Sequence, residues 1–187
     1  MLFSDVIKKA AQIISEGGVI LYPTDTIWGI GGDASDASVI EKIYNIKKRP
    51  DSKSLVSLVS GLEMLESMTM VSDKVKILLD QANQPTTIIY DNVSGINSLA
   101  LAADGSAAIR IPNFEFCTQL ILKMNKPLIS TSANLSGESS PKGFSDISEE
   151  IKAAVDYIVP LSLENKSGQT ASRILKLAGE EVIVLRE

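Results

Sequence analysis

Apolar residues recur at helical spacing over the first fifteen positions and then give way to a short continuous apolar run, a change of period that recurs along the chain. Val6, Ala10, Ile13 and Ile14 share one face of a predicted helix, with Ser4 or Asp5 as its cap and Gly17-Gly18 as its stop. Gly18 to Tyr22 reads as a buried strand. A second helix is predicted from Asp36 to Ile46, its stripe formed by Val39, Ile40, Ile43 and Tyr44, stopping before Pro50. Beyond it, predicted strands over 55–59, 86–90, 107–112 and 127–131 are interspersed with predicted helices over 62–68, 72–82, 114–124 and 148–156. Two closing strands, 172–176 and 181–185, flank a turn at Ala178-Gly179. The alternation is irregular and the late strands lie close enough to pair as hairpins. The expectation is an α/β (α+β) chain, a mixed sheet covered by helices rather than a pure doubly wound one.

Length and composition narrow this further. A chain of 187 residues, 44% hydrophobic, with no internal repeat and no interdomain linker, fits one domain over 1–187 with a real core. The net charge of -5 disfavours a uniform polyanion-binding surface, so any anion site must be a local cluster. Histidine is absent, which removes the usual general base near neutral pH, a Ser-His-Asp triad and any zinc site built on imidazole. The single cysteine, Cys117, has no internal disulfide partner and sits in a helix-like apolar pattern, which reads as a buried structural thiol. With no basic leader and no apolar run of about 18 residues, no membrane segment is predicted and a cytoplasmic setting is expected.

The segment Tyr22-Pro23-Thr24-Asp25-Thr26-Ile27-Trp28-Gly29-Ile30-Gly31 has neither helical nor alternating period, and it carries the only tryptophan. Small and hydroxyl side chains at a strand end suggest a phosphate cradle. Gly29 to Ala34 formally fits G-x-G-x-x-[GA], but six residues separate Tyr22 from Gly29, whereas a dinucleotide fold ends its strand at the first glycine. No Gly-Lys-Ser or Gly-Lys-Thr follows, so the Walker A reading fails.

Three other clusters carry chemistry. Lys47-Lys48-Arg49 ends the second predicted helix, where cations complement the macrodipole; Arg49 and Lys53, beyond the helix in a proline-containing loop, are better explained by an anion site. Ser130-Thr131-Ser132-Ala133-Asn134 is either a plain turn or a set of donors for the phosphates and ribose of a nucleotide. Arg110, alone in an apolar strand, either pairs with an acid at the core edge or fixes a carboxylate bidentately. The polar stretch 163–170 is a lid or a loop.

In order and spacing, Tyr22 to Gly29, Lys47-Lys48-Arg49-Pro50, Ile109-Arg110-Ile111-Pro112 and Ser130 to Asn134 together resemble the YrdC/TsaC family of L-threonylcarbamoyladenylate synthases. The family's K-x-R and S-x-N signatures fall on Lys47/Arg49 and Ser132/Asn134. The resemblance implies a YrdC/RibB-like domain with a concave basic site, making threonylcarbamoyl-AMP and pyrophosphate from L-threonine, bicarbonate and ATP. It implies ATP contacts at Lys47, Arg49, Lys53, Ser132, Asn134 and Arg186, with Lys47, Arg49, Ser132 and Asn134 serving the reaction, and threonine contacts at Thr26, Arg110 and Ser172. Mg2+ would come with the ATP phosphates rather than from protein side chains. The product would serve tRNA modification through a downstream threonylcarbamoyl-transferase complex. The alternatives are a tRNA- or double-stranded-RNA-binding protein of this fold, or a paralogue acting on another small carboxylate. Ala171 and Arg173 depart from the family's P-S-T-I segment, and Leu58 stands where longer relatives carry histidine. Those relatives also carry a second C-terminal domain, and none is expected here.

Overall fold

A computed structural model describes residues 2–48, 55–165, 170–178 and 181–187. The first helix, α1 (Phe3–Ser15), begins earlier than the Ser4 or Asp5 cap predicted. Leu2 occupies the N-cap without a side-chain bond, and Asp5 sits in the first turn, where its charge suits the helix dipole. The helix ends in a Schellman arrangement: Gly17 takes φ 80°, and the Gly17 and Gly18 amides donate to Ile14 and Ile13 carbonyls at 3.0 and 2.9 Å. Next come β1 (Ile20–Tyr22) and β2 (Gly29–Gly31), a strand inside the segment predicted to lack any period. α2 (Ala37–Lys47) starts at Asp36, whose carboxylate accepts from the Ser38 amide at 2.9 Å, and stops at Lys48 in the left-handed region. Its four predicted apolar positions are all buried.

The remaining elements are β3 (Val56–Leu58), α3 (Leu62–Met68), α4 (Asp73–Asp80), β4 (Thr86–Tyr90), β5 (Ala107–Arg110), α5 (Glu115–Met124), β6 (Leu128–Ser132), α6 (Glu149–Ala154), β7 (Tyr157–Ile158), β8 (Arg173–Ala178) and β9 (Glu181–Arg186). Among the described residues the strands form one nine-stranded sheet in the order β7-β1-β2-β6-β3-β5-β4-β8-β9. Pairing is mixed: β1 with β7, β3 with β5 and β4 with β8 are parallel, and the other neighbours are antiparallel. The late hairpin predicted from sequence is β8–β9.

β2 can lie between β1 and β6 because glycine permits it. A Cβ on Gly31 would stand 1.7 Å from the Ile129 carbonyl oxygen, so no larger residue fits there. Three apolar clusters bury the helices. α2 and α6 pack against β1 and β2. α1 and α5 share a core with Tyr22, Leu58 and Leu128. α3 and α4 cover the face of β4 and β5 that presents Ile88, Tyr90, Ala107 and Ile109. Cys117 lies within the second cluster, fully buried. Among the described residues no helix is long and apolar enough to cross a membrane.

Candidate functional site

Successive side chains of a strand point to opposite faces, so covering one face of β4 and β5 with α3 and α4 leaves the other available. On that open face Ser130, Val56, Ala108 and Ile89 are register neighbours across β6, β3, β5 and β4. One rung along, Arg110 lies opposite Thr87, which lies opposite Ile174. All of these except Thr87 form the floor of a cavity of about 280 Å³ walled by Thr26, Trp28, Ser132, Ser172 and Arg186. Five residues predicted from sequence, from separated segments, therefore meet: Thr26, Arg110, Ser132, Ser172 and Arg186.

Arg110 is only 4% exposed and forms an ion pair with Asp25 through Nη1. Its Nη2 reaches Thr26 Oγ1 at 3.4 Å, and its Nε is buried without a protein partner. Asp25 also accepts from the Asn113 amide at 3.2 Å. Of the two roles open to a lone strand arginine, the acid pair is thus present, with further N–H groups of the fork uncommitted. Asp25 was missed from sequence; the available signal was its place beside Thr24 and Thr26 together with the need of a buried Arg110 for a counter-charge.

The two threonines have a definite proton order. Thr24 Oγ1 donates to the Ile27 carbonyl at 2.8 Å, so in its 2.8 Å contact with Thr26 Oγ1 the Thr26 hydroxyl is the donor. Arg110 approaches the same Thr26 oxygen as a donor. That oxygen therefore offers the cavity an acceptor, suited to an ammonium or hydroxyl group.

Opposite this group, Ser172 Oγ lies 2.8 Å from Thr87 Oγ1, and the Ser172 carbonyl accepts from Arg186 Nε and Nη2 at 3.0 and 2.6 Å. Burial, and then the positive charge of nearby Arg110, hold the Arg186 pKa below its ordinary value. With Arg110 paired to Asp25, Arg186, which has no ion pair among the described residues, leaves the cavity an excess of positive charge that favours an anionic ligand. The thiol of Cys117, beneath Pro23, is pushed far up by burial and by the Asp25 charge, which leaves it without nucleophilic character.

The other end is organised around Lys47, only 2% exposed. Its ammonium donates to the carbonyls of Ser132 and Asn134, the latter at 2.7 Å, while its own carbonyl accepts from the Ser136 amide at 2.8 Å. Lys47 and Asn134 are not among the residues lining the cavity. Asn134 Nδ2 donates to the Glu138 carbonyl at 2.7 Å, and its Oδ1 is buried without a partner. Lys48 pairs instead with Glu150 at the surface, 2.6 Å away. Arg49 and Lys53 lie outside the described residues. The start of the polar stretch 163–170 is tied down, since Glu164 accepts from Trp28 Nε1 at 2.6 Å and from the Phe144 amide at 3.1 Å; residues 166–169 lie outside the described residues.

Fold and cavity together define a mixed α/β domain with a cationic pocket on the open face of its sheet. Residues 12–187 match the Sua5/YciO/YrdC family, described as "Telomere recombination", and the chain belongs to that family. A Methanocaldococcus jannaschii protein is 32% identical over 183 residues, 97% of this chain and 85% of that one. The Hydrogenovibrio crunogenus threonylcarbamoyl-AMP synthase is 30% identical over 137 residues, 71% of this chain and 74% of that one. The crystal structure of P. abyssi Sua5 complexed with L-threonine superimposes with a TM-score of 0.84 at 25% identity, over 96% of this chain; this chain spans 53% of that protein.

Proposed function

We propose that the protein is a nucleotidyltransferase of the Sua5/YrdC type that makes threonylcarbamoyl-AMP from L-threonine, bicarbonate and ATP. The observation that carries this reading is the convergence of Thr26, Arg110, Ser132 and Ser172, distant in sequence, on one cavity. The names of the relatives support it. In this reading the threonine ammonium and bicarbonate give the N-carboxylate, water and a proton. A carboxylate oxygen then bonds to the α-phosphorus as the bond from that phosphorus to the β-phosphate's bridging oxygen breaks, and pyrophosphate leaves.

Such chemistry asks the protein for positioning and charge neutralisation rather than for a nucleophile. Arg110 grips the amino-acid carboxylate, and the acceptor oxygen of Thr26 receives the substrate's amine or hydroxyl. Ser132 faces the nucleotide from the cavity wall, Asn134 serves it from the loop that follows, Arg49 and Lys53 are its phosphate partners, and Lys47 holds that loop in shape. Magnesium arrives with the triphosphate. Among the described residues no group of three or more acids, histidines or cysteines offers it a cradle, and Asp25 is committed to Arg110 and Asn113. The product is an activated acyl phosphate anhydride, which a transferase acting on tRNA would consume in the cytoplasm.

The test is to incubate the protein with ATP, magnesium and each of several amino acids, with and without bicarbonate, and to detect the adenylate by mass. Product with threonine alone, lost without bicarbonate, is expected. Product with another small amino acid would assign a paralogue, and salt-sensitive RNA binding without turnover would assign a nucleic-acid-binding module. Arg49→Ala and Ser132→Ala should each lower turnover by about two to three decades, as loss of a contact at the reacting phosphate does.

A further inference from the structure

We propose that Glu164 is a positioning residue for the reaction, its carboxylate fixing the Trp28 indole as the wall of the cavity at the Ser132 end. This rests on the synthase reading and adds to it a residue that acts through another side chain rather than by touching a substrate.

The backbone of Trp28 is tied to the Ser132 segment. Its carbonyl accepts from the Ala133 amide at 3.0 Å, and Gly29, the next residue, is the register partner of Ser132. Trp28 lines the cavity yet is only 3% exposed, and its ring packs on Phe144 with 5.0 Å between ring centres and a tilt of 57°. A buried indole needs an acceptor for its one N–H. Here that acceptor is Glu164 Oε1, 2.6 Å from Nε1.

The surroundings of Glu164 suit it to orientation rather than to charge pairing. The same Oε1 accepts from the Phe144 amide at 3.1 Å, so one atom holds both the indole and the backbone of the residue on which the indole packs. Among the described residues Glu164 forms no ion pair; Lys152, the cation 4.7 Å above the Phe144 ring, is paired with Glu149. The base that carries Glu164 is itself fixed. Its amide donates to the Leu161 carbonyl at 2.9 Å, closing the short turn Leu161–Leu163, and the Val159 amide before that turn donates to the Leu21 carbonyl of β1 at 2.9 Å. Without the carboxylate, the indole N–H is left buried and unpaired unless the ring turns to meet water, and the cavity that Trp28 lines is where water is met. A turned indole reshapes the Ser132 end and leaves the Asp25–Arg110 pair in place.

Trp28 is the only tryptophan of the chain, so its indole can be followed by itself. In the wild type the indole N–H should exchange with solvent at least about a hundredfold more slowly than that of free tryptophan, measured by NMR, as a buried and bonded donor does. Exchange at the free rate overturns the proposal. Glu164→Ala should speed the exchange and shift the Trp28 fluorescence to the red, whereas Glu164→Gln, which keeps an acceptor oxygen, should leave both near the wild type. In pyrophosphate release, Glu164→Ala should raise the KM for ATP about fivefold, the effect of one net hydrogen bond, with the KM for threonine moved less than about twofold. An equal rise in both constants, a fall in kcat alone, or a glutamine variant as impaired as the alanine one overturns the proposal. Adding Glu164→Ala to Trp28→Phe, which has no N–H to hold, should change the KM for ATP by less than about twofold, and independent effects of the two substitutions overturn it. Should Glu164→Ala fail to fold by thermal unfolding, Trp28→Phe decides together with the wild-type exchange rate, the threshold being about a threefold rise in the KM for ATP with that for threonine unchanged. Absence of threonine-dependent turnover in the wild type, with slow indole exchange and its dependence on Glu164 intact, overturns only the synthase reading.

Discussion

The two ends of the cavity both rest on a buried cation, but the cations are used differently. Arg110 is held through its charge by the carboxylate of Asp25, and the rest of its fork is left toward Thr26 and the cavity. Lys47 is turned onto the carbonyls of Ser132 and Asn134, so it shapes a loop and does not line the cavity. The contrast follows from the side chains. A planar guanidinium can satisfy an acid on one edge and a ligand on another, while an ammonium gathers carbonyl oxygens around a point. One end is a guanidinium anchored by an acid with part of its fork left toward the cavity, and the other is a backbone loop with a cationic pin.

That difference predicts graded consequences. Arg110→Ala should be the most damaging, because it leaves Asp25 charged, buried and unpaired; a loss of about 3–5 kcal/mol in chemical denaturation is expected. The double variant Asp25→Ala/Arg110→Ala should recover part of that loss. A double variant no more stable than the single one would show that the pair does not act as a unit. Next comes Gly31→Ala, which attacks the β2–β6 pairing that joins the two ends. Its methyl meets the Ile129 carbonyl, and about 3 kcal/mol of stability should be lost, with the KM for both threonine and ATP raised.

Lys47→Met sharpens the comparison at the loop end. Two charge-assisted hydrogen bonds disappear, for about 2 kcal/mol, and the KM for ATP should rise while that for threonine stays within twofold. Equal movement of both constants would mean that the two ends are not separately held. The smallest effect is expected at Asp156, which does not line the cavity. Burial raises the pKa of this carboxyl, but hydrogen bonds from Lys42 and the Val19 amide more than offset that and hold it below the ordinary carboxylate range. A depressed carboxylate stabilises the fold above its unfolded pKa, and that contribution is lost as pH falls through the lower folded value. The side chain is 39% exposed, so Asp156→Asn should cost less than about 1 kcal/mol near pH 7. The gap should close in unfolding curves taken below the ordinary aspartate range, with no change in either KM.

Most of the fold was legible from period alone. The α3 and β4 boundaries agree with those predicted, and α2 and α5 agree within a residue at each end, since their apolar stripes face a core that accepts them. β2 was not legible. Gly29-Ile30-Gly31 offers no alternation, and what makes it a strand is the space between β1 and β6 that only glycine fits. β7 escaped for a related reason, because two residues carry no period.

Of the site, the sequence by itself determined which residue types are available: hydroxyls at Thr26, Ser132 and Ser172, arginines at 110 and 186, no histidine, and motif spacings that resemble one family. The tertiary structure alone decided how they are arranged. It placed Asp25 against Arg110, turned Lys47 onto carbonyls and brought Arg186 to the Ser172 side of the cavity. Local sequence governs period and caps because those depend on near neighbours. Partners 85 residues apart, as Asp25 and Arg110 are, are chosen by strand order and by the requirement that a buried charge find its counterpart.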